Sequence, residues 1–262
     1  MAFAQIIEET RARVKRDSDN YPLQQVIDEP QFEQRAANFD TAFPAGEVNV
    51  ITEIKYGSPS RGKIFDAEKI SPVDVARAYV ENGSRAISIL TEPTYFHGSY
   101  DYLKSVRSAF PEIPIIMKDF VIDPYQVHFA RFIGASVVLL CVRYLDESEI
   151  NDLQQLATGI GLNTLVEVHD EAELEVACKI GCKVMGVNNR NLKTLDIDLD
   201  VGKNLAPHFP DDVVKICESG IFERSQIDDF RELGYDGFLV GTSLMMDGRP
   251  GEALNELINA KD

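Results

Sequence analysis

Two lysines, three glutamates and an asparagine stand where short apolar runs end. Glu53 and Lys55 close VNVITEIK (48–55), Lys118 closes IPIIMK (113–118), and Glu167 lies in TLVEV (164–168). Asn188 follows KVMGV (183–187) and Glu218 follows VVKIC (213–217). A buried strand tolerates such groups only where a partner or ligand offsets the cost of desolvation. Lysine beside glutamate supplies what acid–base chemistry needs, an ammonium to donate protons and carboxylates to accept them or to stabilise positive charge. Glu53 and Lys55 are two apart in an extended run and so face the same way. Any one of the six reads most simply as a solvated strand-end group, whereas six at equivalent positions favour one shared rim. Two small-residue clusters, Glu218-Ser219-Gly220 and Gly241-Thr242-Ser243, offer backbone N–H groups of the kind that hold phosphate near a helix N-terminus. A third segment, Gly57-Ser58-Pro59-Ser60-Arg61-Gly62-Lys63, can fold over the same mouth.

The elements that must position these residues form a repeating unit: a helix-period segment, a glycine, then a short β-rich run. Gly83 precedes AISIL, Gly134 SVVLL, Gly161 TLVEV, Gly181 KVMGV and Gly234 GFLV. Glycine suits the left-handed residue that closes a helix, and the runs after it are too short for helices. With 48–55, 113–118 and 213–217 the strand count reaches eight. Helices are predicted at 72–82, 99–110, 123–133, 146–158, 170–180, 198–206, 223–233 and 249–260. Pro72 after Ser71, Pro124 after Asp123, and Asp170 before Glu171 and Glu173 are start signals. Alternating strands and helices imply parallel pairing, and eight units imply a single closed (β/α)8 (TIM) barrel rather than an open doubly wound sheet. Residues 1–46 are expected to form an N-terminal helical extension packed on the barrel, with the barrel domain over 47–262. Phe3, Ile6, Ile7, Thr10 and Val14 repeat at helical spacing, and a second helix is predicted over 31–38. The extension either covers one barrel end or helps to wall the mouth.

The 262 residues are 44% hydrophobic and 26% charged, ordinary for a folded chain. Lys+Arg 26 against Asp+Glu 43 gives −17, with pI ≈ 4.6, which disfavours nucleic acid or an acidic membrane surface as partner. No run approaches the ~18 apolar residues of a membrane span. The opening MAFAQIIEETRARVKRD lacks the basic-then-apolar order of a secretory signal, so a cytoplasmic location is expected. Cys141, Cys178, Cys182 and Cys217 show no CxxC pairing and read as small hydrophobes in a reducing compartment. His97, His128, His169 and His208 are not paired at metal spacing, and no metal site is expected.

EIKYGSPSRG (53–62), TEPTYFHGS (91–99), MKDFVIDPYQ (117–126), LVEVHD (165–170), GVNNRNLKT (186–194), ESGI (218–221) and VGTSLM (240–245) closely resemble the indole-3-glycerol-phosphate synthase family, in its order. The resemblance implies a (β/α)8 barrel with an extra N-terminal segment. It also implies a cofactor-free reaction of tryptophan biosynthesis on a phosphorylated small molecule. In that reaction 1-(2-carboxyphenylamino)-1-deoxyribulose 5-phosphate closes to indole-3-glycerol phosphate with loss of CO2 and water. Carried over by motif, Lys118 resembles the general acid for ring closure, with Lys55 a second acid or a contact to substrate anionic groups. Glu167 resembles the general base. Glu53 and Glu218 would stabilise positive charge on the anilino nitrogen and orient the lysines. Asn188 and Arg190 would hold substrate hydroxyl and carboxylate groups. Ser58, Gly220, Gly241 and Thr242 would bind phosphate, Ser219 would lie near the ring-closing centre, and Phe120 would clamp the aromatic ring.

The sequence departs from the family pattern at Tyr56 and Gly57, where many members carry a basic residue and Ala or Lys, and at His97, where Gly or Gln is usual. Loop closure and substrate affinity are the properties these put in question. An acidic protein taking a polyanionic substrate must rely on local cations, because distant charges are screened beyond about 8 Å. Lys55, Arg61, Lys63, Lys118, Arg190 and Lys193 all fall on rim segments, so a positive mouth is expected. The rival readings are a neighbouring phosphate-binding barrel such as phosphoribosylanthranilate isomerase, and a non-catalytic phosphate-ligand-binding barrel. The isomerase needs an Asp/Cys-type pair and a binder needs only phosphate loops, so two lysines with three glutamates favour ring closure. Association with other enzymes of the pathway is left open.

Overall fold

The β-rich runs pair in parallel and close on themselves. The computed structural model describes residues 3–29, 39, 41–65, 67–246 and 248–260. The barrel strands are β1 (Val50–Ile54), β4 (Ala86–Leu90), β5 (Ile115–Lys118), β6 (Val137–Cys141), β7 (Asn163–Val168), β8 (Val184–Asn188), β9 (Val214–Glu218) and β10 (Gly237–Val240). Each pairs with its sequence neighbour, and β1 closes the ring between β4 and β10. The loop after β1 carries an unforeseen two-residue hairpin, β2 (Gly57–Ser58) against β3 (Gly62–Lys63).

Side-chain alternation decides which strand residues can do chemistry. One apolar cluster fills the barrel interior: Ile51, Ala86, Ile116, Val137, Leu139, Leu165, Val184, Ile216 and Leu239. The intervening residues, such as Val50, Ile54, Met117, Val166 and Cys217, pack outward in the cluster shared with the helices. With a period of two, Glu53, Lys118, Glu167 and Glu218 each follow an interior residue by two and therefore point into the barrel mouth. Phe39 plugs the opposite end, its ring 5.0 Å from that of Phe43 at 88°.

The outer helices are α3 (Pro72–Glu81), α4 (Tyr100–Ala109), α5 (Pro124–Phe132), α6 (Glu147–Gly159), α7 (Glu171–Lys179), α8 (Asp200–Leu205), α9 (Arg224–Glu232), α10 (Thr242–Met245) and α11 (Pro250–Asn259), after α1 (Phe3–Asn20) and α2 (Leu23–Asp28). Their starts follow the expected caps. Ser71 accepts from the Asp74 N–H, Asp123 from Tyr125 and Asp170 from Glu173, each worth about 1 kcal/mol. The five glycines preceding strands all have positive φ, from 72° at Gly181 to 94° at Gly134. The helix predicted at 198–206 is only six residues long. It passes into a 3-10 turn, Ala206–His208, containing Pro207, whose missing N–H cannot extend the helical ladder.

The apolar stripe of α1 buries Ile6, Thr10 and Val14. Between them Arg13 donates to the Tyr100 hydroxyl at 2.8 Å and forks onto both carboxylate oxygens of Asp119. Asp119 directly follows Lys118, so α1 is tied to the barrel rim. The second helix expected at 31–38 lies outside the described residues.

Candidate active site

One cavity at the C-terminal ends of the strands is lined by Glu53, Lys55, Lys118, Phe120, Glu167, Asn188, Arg190, Glu218, Ser219, Gly220, Gly241 and Thr242. Every predicted site residue except Ser58 is therefore brought to one place. Ser58 stands beside that lining: its Oγ lies 3.2 Å from Ser60 Oγ, and its neighbour Pro59 lines the cavity. Ile6 of α1 also lines it, so the N-terminal extension helps to wall the mouth.

The charges form two groups. Lys118 Nζ sits 2.5 Å from Glu218 Oε2 and 3.3 Å from Glu167 Oε2. Lys55 Nζ sits 2.6 Å from Glu53 Oε1. Burial opposes the charged forms of Lys118, Glu53, Glu167 and Glu218, and opposite charges outweigh it at all of these but Glu218. For Lys118, Glu218, Glu167 and Glu53 outweigh burial and hold the ammonium well above the usual lysine range. For Glu167, burial is outweighed by Lys118 and His169 with a hydrogen bond from Asn188, and its carboxyl falls to about 2. Glu53 is likewise lowered against burial by Lys55 and Lys118. Glu218 goes the other way. Burial, reinforced by Glu167 and Glu53, exceeds the pull of Lys118 and raises it to about 7. The site thus presents a proton-holding lysine, an ionised glutamate and a glutamate poised near neutrality within one cluster.

Gly186 makes room for this cluster. A Cβ there would lie 2.1 Å from Glu218 Oε1, so the carboxylate rests directly on the bare β8 backbone. Beside the cluster lie the two small-residue loops, one directly following Glu218 and the other, at Gly241, against Glu53. Ser219 (φ 65°) and Gly220 (φ 91°) take successive left-handed conformations, forming a concavity of the kind that receives anions. Gly241 precedes α10, and Ser243 Oγ donates to the Ile221 carbonyl at 2.9 Å, joining the two loops. Phe120 packs between Phe96 and Tyr144, with centroids at 6.2 and 5.7 Å, and forms an apolar wall.

Several supporting residues escape a motif-based reading. Asn189 donates from Nδ2 to the Glu218 and Ser219 carbonyls and accepts the Gly202 N–H, fixing the β9 loop. Glu92 accepts the Thr94, Tyr95 and Phe96 N–H groups and shapes the β4 loop. Asp119 binds Arg13 and Thr91. The expected positive mouth needs refinement. Lys55, Lys118, Arg190 and Lys193 line the cavity, but so do Glu53, Glu92, Asp119, Glu167 and Glu218. Each of these carboxylates has a cation or N–H donor on at least one oxygen, although Glu218 Oε1 is buried without a hydrogen-bond partner, whereas Arg190 and Lys193 make no ion pair among the described residues. Cys141, Glu167 and His169 bring ligand-type atoms within 4.8 Å of one another. The Lys118 ammonium already stands beside that carboxylate, where a metal cation would otherwise balance it.

The two departures from the family pattern meet in space. His97, at φ 53°, lays its ring over Gly57, where a Cβ would come within 2.0 Å of His97 Cδ2. Tyr56 is buried beside Tyr102, its hydroxyl on the Ile70 carbonyl at 3.0 Å. No described helix is long and apolar enough to cross a membrane.

Among solved structures the fold is similar to that of 3-hexulose-6-phosphate synthase from Salmonella typhimurium, at 13% identity and a TM-score of 0.64, covering 80% of this chain and 96% of that one. That likeness speaks to the barrel alone. The indole-3-glycerol phosphate synthase of Acetivibrio thermocellus is 36% identical over 259 residues, spanning 98% of both chains. The enzyme of that name from Polynucleobacter necessarius is 43% identical over 215 residues, covering 82% of this chain and 79% of the relative. The family model for indole-3-glycerol phosphate synthase matches residues 3–257. With that match over nearly its whole length and these identities, the chain belongs to the indole-3-glycerol phosphate synthase family.

Proposed function

We propose that the two lysine–glutamate groups divide the steps of the family's reaction. That reaction is the carboxy-lyase ring closure of 1-(2-carboxyphenylamino)-1-deoxyribulose 5-phosphate to indole-3-glycerol phosphate in tryptophan biosynthesis. Lys118 donates a proton to the ribulose carbonyl oxygen as the ring carbon bearing the carboxylate attacks it. The observation that carries this role is the ammonium held between Glu167 and Glu218, which keeps its proton until a substrate oxygen competes for it. Glu53 and Glu218 stabilise the cationic anilino nitrogen, and loss of CO2 restores the aromatic ring. Lys55, paired with Glu53, then serves as the acid for the departing hydroxyl or as a contact to substrate anionic groups. Glu167, whose carboxylate form is favoured by Lys118 and His169, removes the ring proton.

Ser58, Gly220, Gly241 and Thr242 bind the phosphate, Ser219 lies near the ring-closing centre, Phe120 bounds the aromatic ring, and Asn188 and Arg190 hold hydroxyl and carboxylate groups. Arg190 suits an anion because its charge is available, while its Nη1 anchors to the Leu195 carbonyl at 2.7 Å. The test is turnover followed by indole fluorescence. Lys118→Ala and Glu167→Gln are each expected to lower kcat roughly 10²-fold or more. Near-parental turnover in either would remove that residue from its role.

A further inference from the structure

His169 directly follows β7, and its side chain is 6% exposed. Its Nε2 lies 3.3 Å from Glu167 Oε1 and has no hydrogen-bond partner. Its Nδ1 lies 3.0 Å from Glu173 Oε2, which also accepts the His169 backbone N–H at 2.8 Å. The other Glu173 oxygen pairs with Arg143, and Arg143 reaches Asp170 Oδ2 at 2.9 Å. Arg143, Glu173, His169, Glu167, Lys118 and Glu218 therefore form a line of alternating charge from the rim to the barrel centre. We propose that His169, as an imidazolium held between Glu173 and Glu167, is a positioning residue that keeps the Glu167 carboxylate turned toward the substrate. This rests on Glu167 being the base.

A neutral imidazole has one N–H, so it would turn a bare lone pair toward one of two carboxylates. The imidazolium instead presents an N–H to each, hydrogen-bonded to Glu173 at Nδ1 and at ion-pair distance from Glu167 at Nε2. Burial opposes that charge, and Arg143 opposes it weakly, but Glu173 and Glu167 outweigh them and raise the imidazole above its ordinary range. The buried Cys141 thiol on β6, paired in register with Glu167, and the buried Tyr144 hydroxyl also face the Glu167 carboxylate. A histidine serving only the fold would be satisfied by Glu173 and would not need to face the reactive carboxylate. The contact matters because Lys118 holds the other oxygen of Glu167. Without a cation at Oε1, the hydrogen bond from Asn188 is left to oppose the carboxylate's turning onto Lys118, which would occupy base and acid together. His169 does not line the cavity, so substrate binding does not depend on it.

The experiment combines histidine NMR titration with steady-state kinetics on the full chain. Four histidines are present, and His169 is identified by the signal missing from His169→Asn. The expected result is an imidazole titrating above 6.5 in the parent and about one unit or more lower in Glu173→Gln, which keeps the acceptor and removes the charge. His169→Asn and His169→Gln are each expected to lower kcat roughly tenfold with little change in KM, the scale of a misplaced reacting group. An imidazole titrating at or below 6.5 would overturn the inference. So would parental kcat in both His169 variants while Glu167→Gln is inactive. Retained turnover in Glu167→Gln would instead overturn the base assignment, and this inference with it.

Discussion

Gly186→Ala tests the placement of the acid–base cluster without touching a reacting group. The added methyl would start 2.1 Å from Glu218 Oε1 and 3.1 Å from its carboxyl carbon, against 3.4 Å or more in ordinary contact. Roughly 1 Å of displacement is needed. The carboxylate has little room to give way. It is about 1% exposed, Leu165 Cδ1 stands 3.3 Å from the same new methyl, and Oε2 is held by Lys118 at 2.5 Å. Moving it stretches that contact and releases Lys118 toward Glu167. A shift of about 1 Å at a reacting group can cost ~10²-fold in rate, and overpacking a filled core costs about 1–3 kcal/mol. We therefore expect kcat to fall between ten- and a hundredfold (~10–10²), and the thermal midpoint to drop by a few degrees. Indole fluorescence and differential scanning calorimetry read the two effects separately. Gly159→Ala, in α6 with nothing within 4 Å, is the control and should leave turnover unchanged. Gly186→Ala turning over within twofold of the parent would refute the claimed packing of Glu218.

Glu218 also predicts a pH dependence. Its folded-state pKa, about 7, lies above the ordinary carboxylate value, so the folded protein retains a proton that the unfolded chain releases. The stability this contributes is fully present below the ordinary carboxylate range and is lost as pH rises through about 7. Turnover should rise over the same interval as the carboxylate forms. Glu218→Gln should be slower throughout and lack the rise, as a pH series of kcat would show. At the hairpin, Gly57→Ala should raise KM severalfold by displacing the His97 ring, and adding His97→Gly should restore it. Equal KM values in the single and double variants would separate the two residues.

Much of this site was legible because a barrel interior has to be apolar. Glu53, Lys118, Glu167 and Glu218 stood out as charges two positions after interior residues, and the strand period alone sent them to one rim. The glycines before strands were legible for a comparable reason, since the helix ends require positive φ. What stayed hidden depends on contacts between distant segments. Asp119 lies just beyond the end of its strand, and its partner Arg13 lies in the N-terminal helix, 106 residues away. Gly186 reads as part of a motif, yet its importance comes from Glu218 lying against it. Loop composition at 57–63 suggests a segment over the mouth but not the two-residue hairpin that sets Ser58 Oγ beside Ser60 Oγ. Gly57 and His97 seemed separate departures and are one packed pair. His169 showed no metal spacing, but Glu173 four residues later, in the first turn of a helix, was a signal that an imidazole could be held there.

The account's central claim is that Lys118 and the two small-residue loops address opposite ends of one substrate. A crystal structure of the protein with indole-3-glycerol phosphate tests it most directly. The predicted result is a phosphate hydrogen-bonded by the backbone at Gly220 and Gly241, with the indole ring against Phe120 and Lys118 Nζ within reach of its pyrrole edge. A phosphate bound elsewhere, or an indole on the far side of the mouth from Lys118, would contradict it.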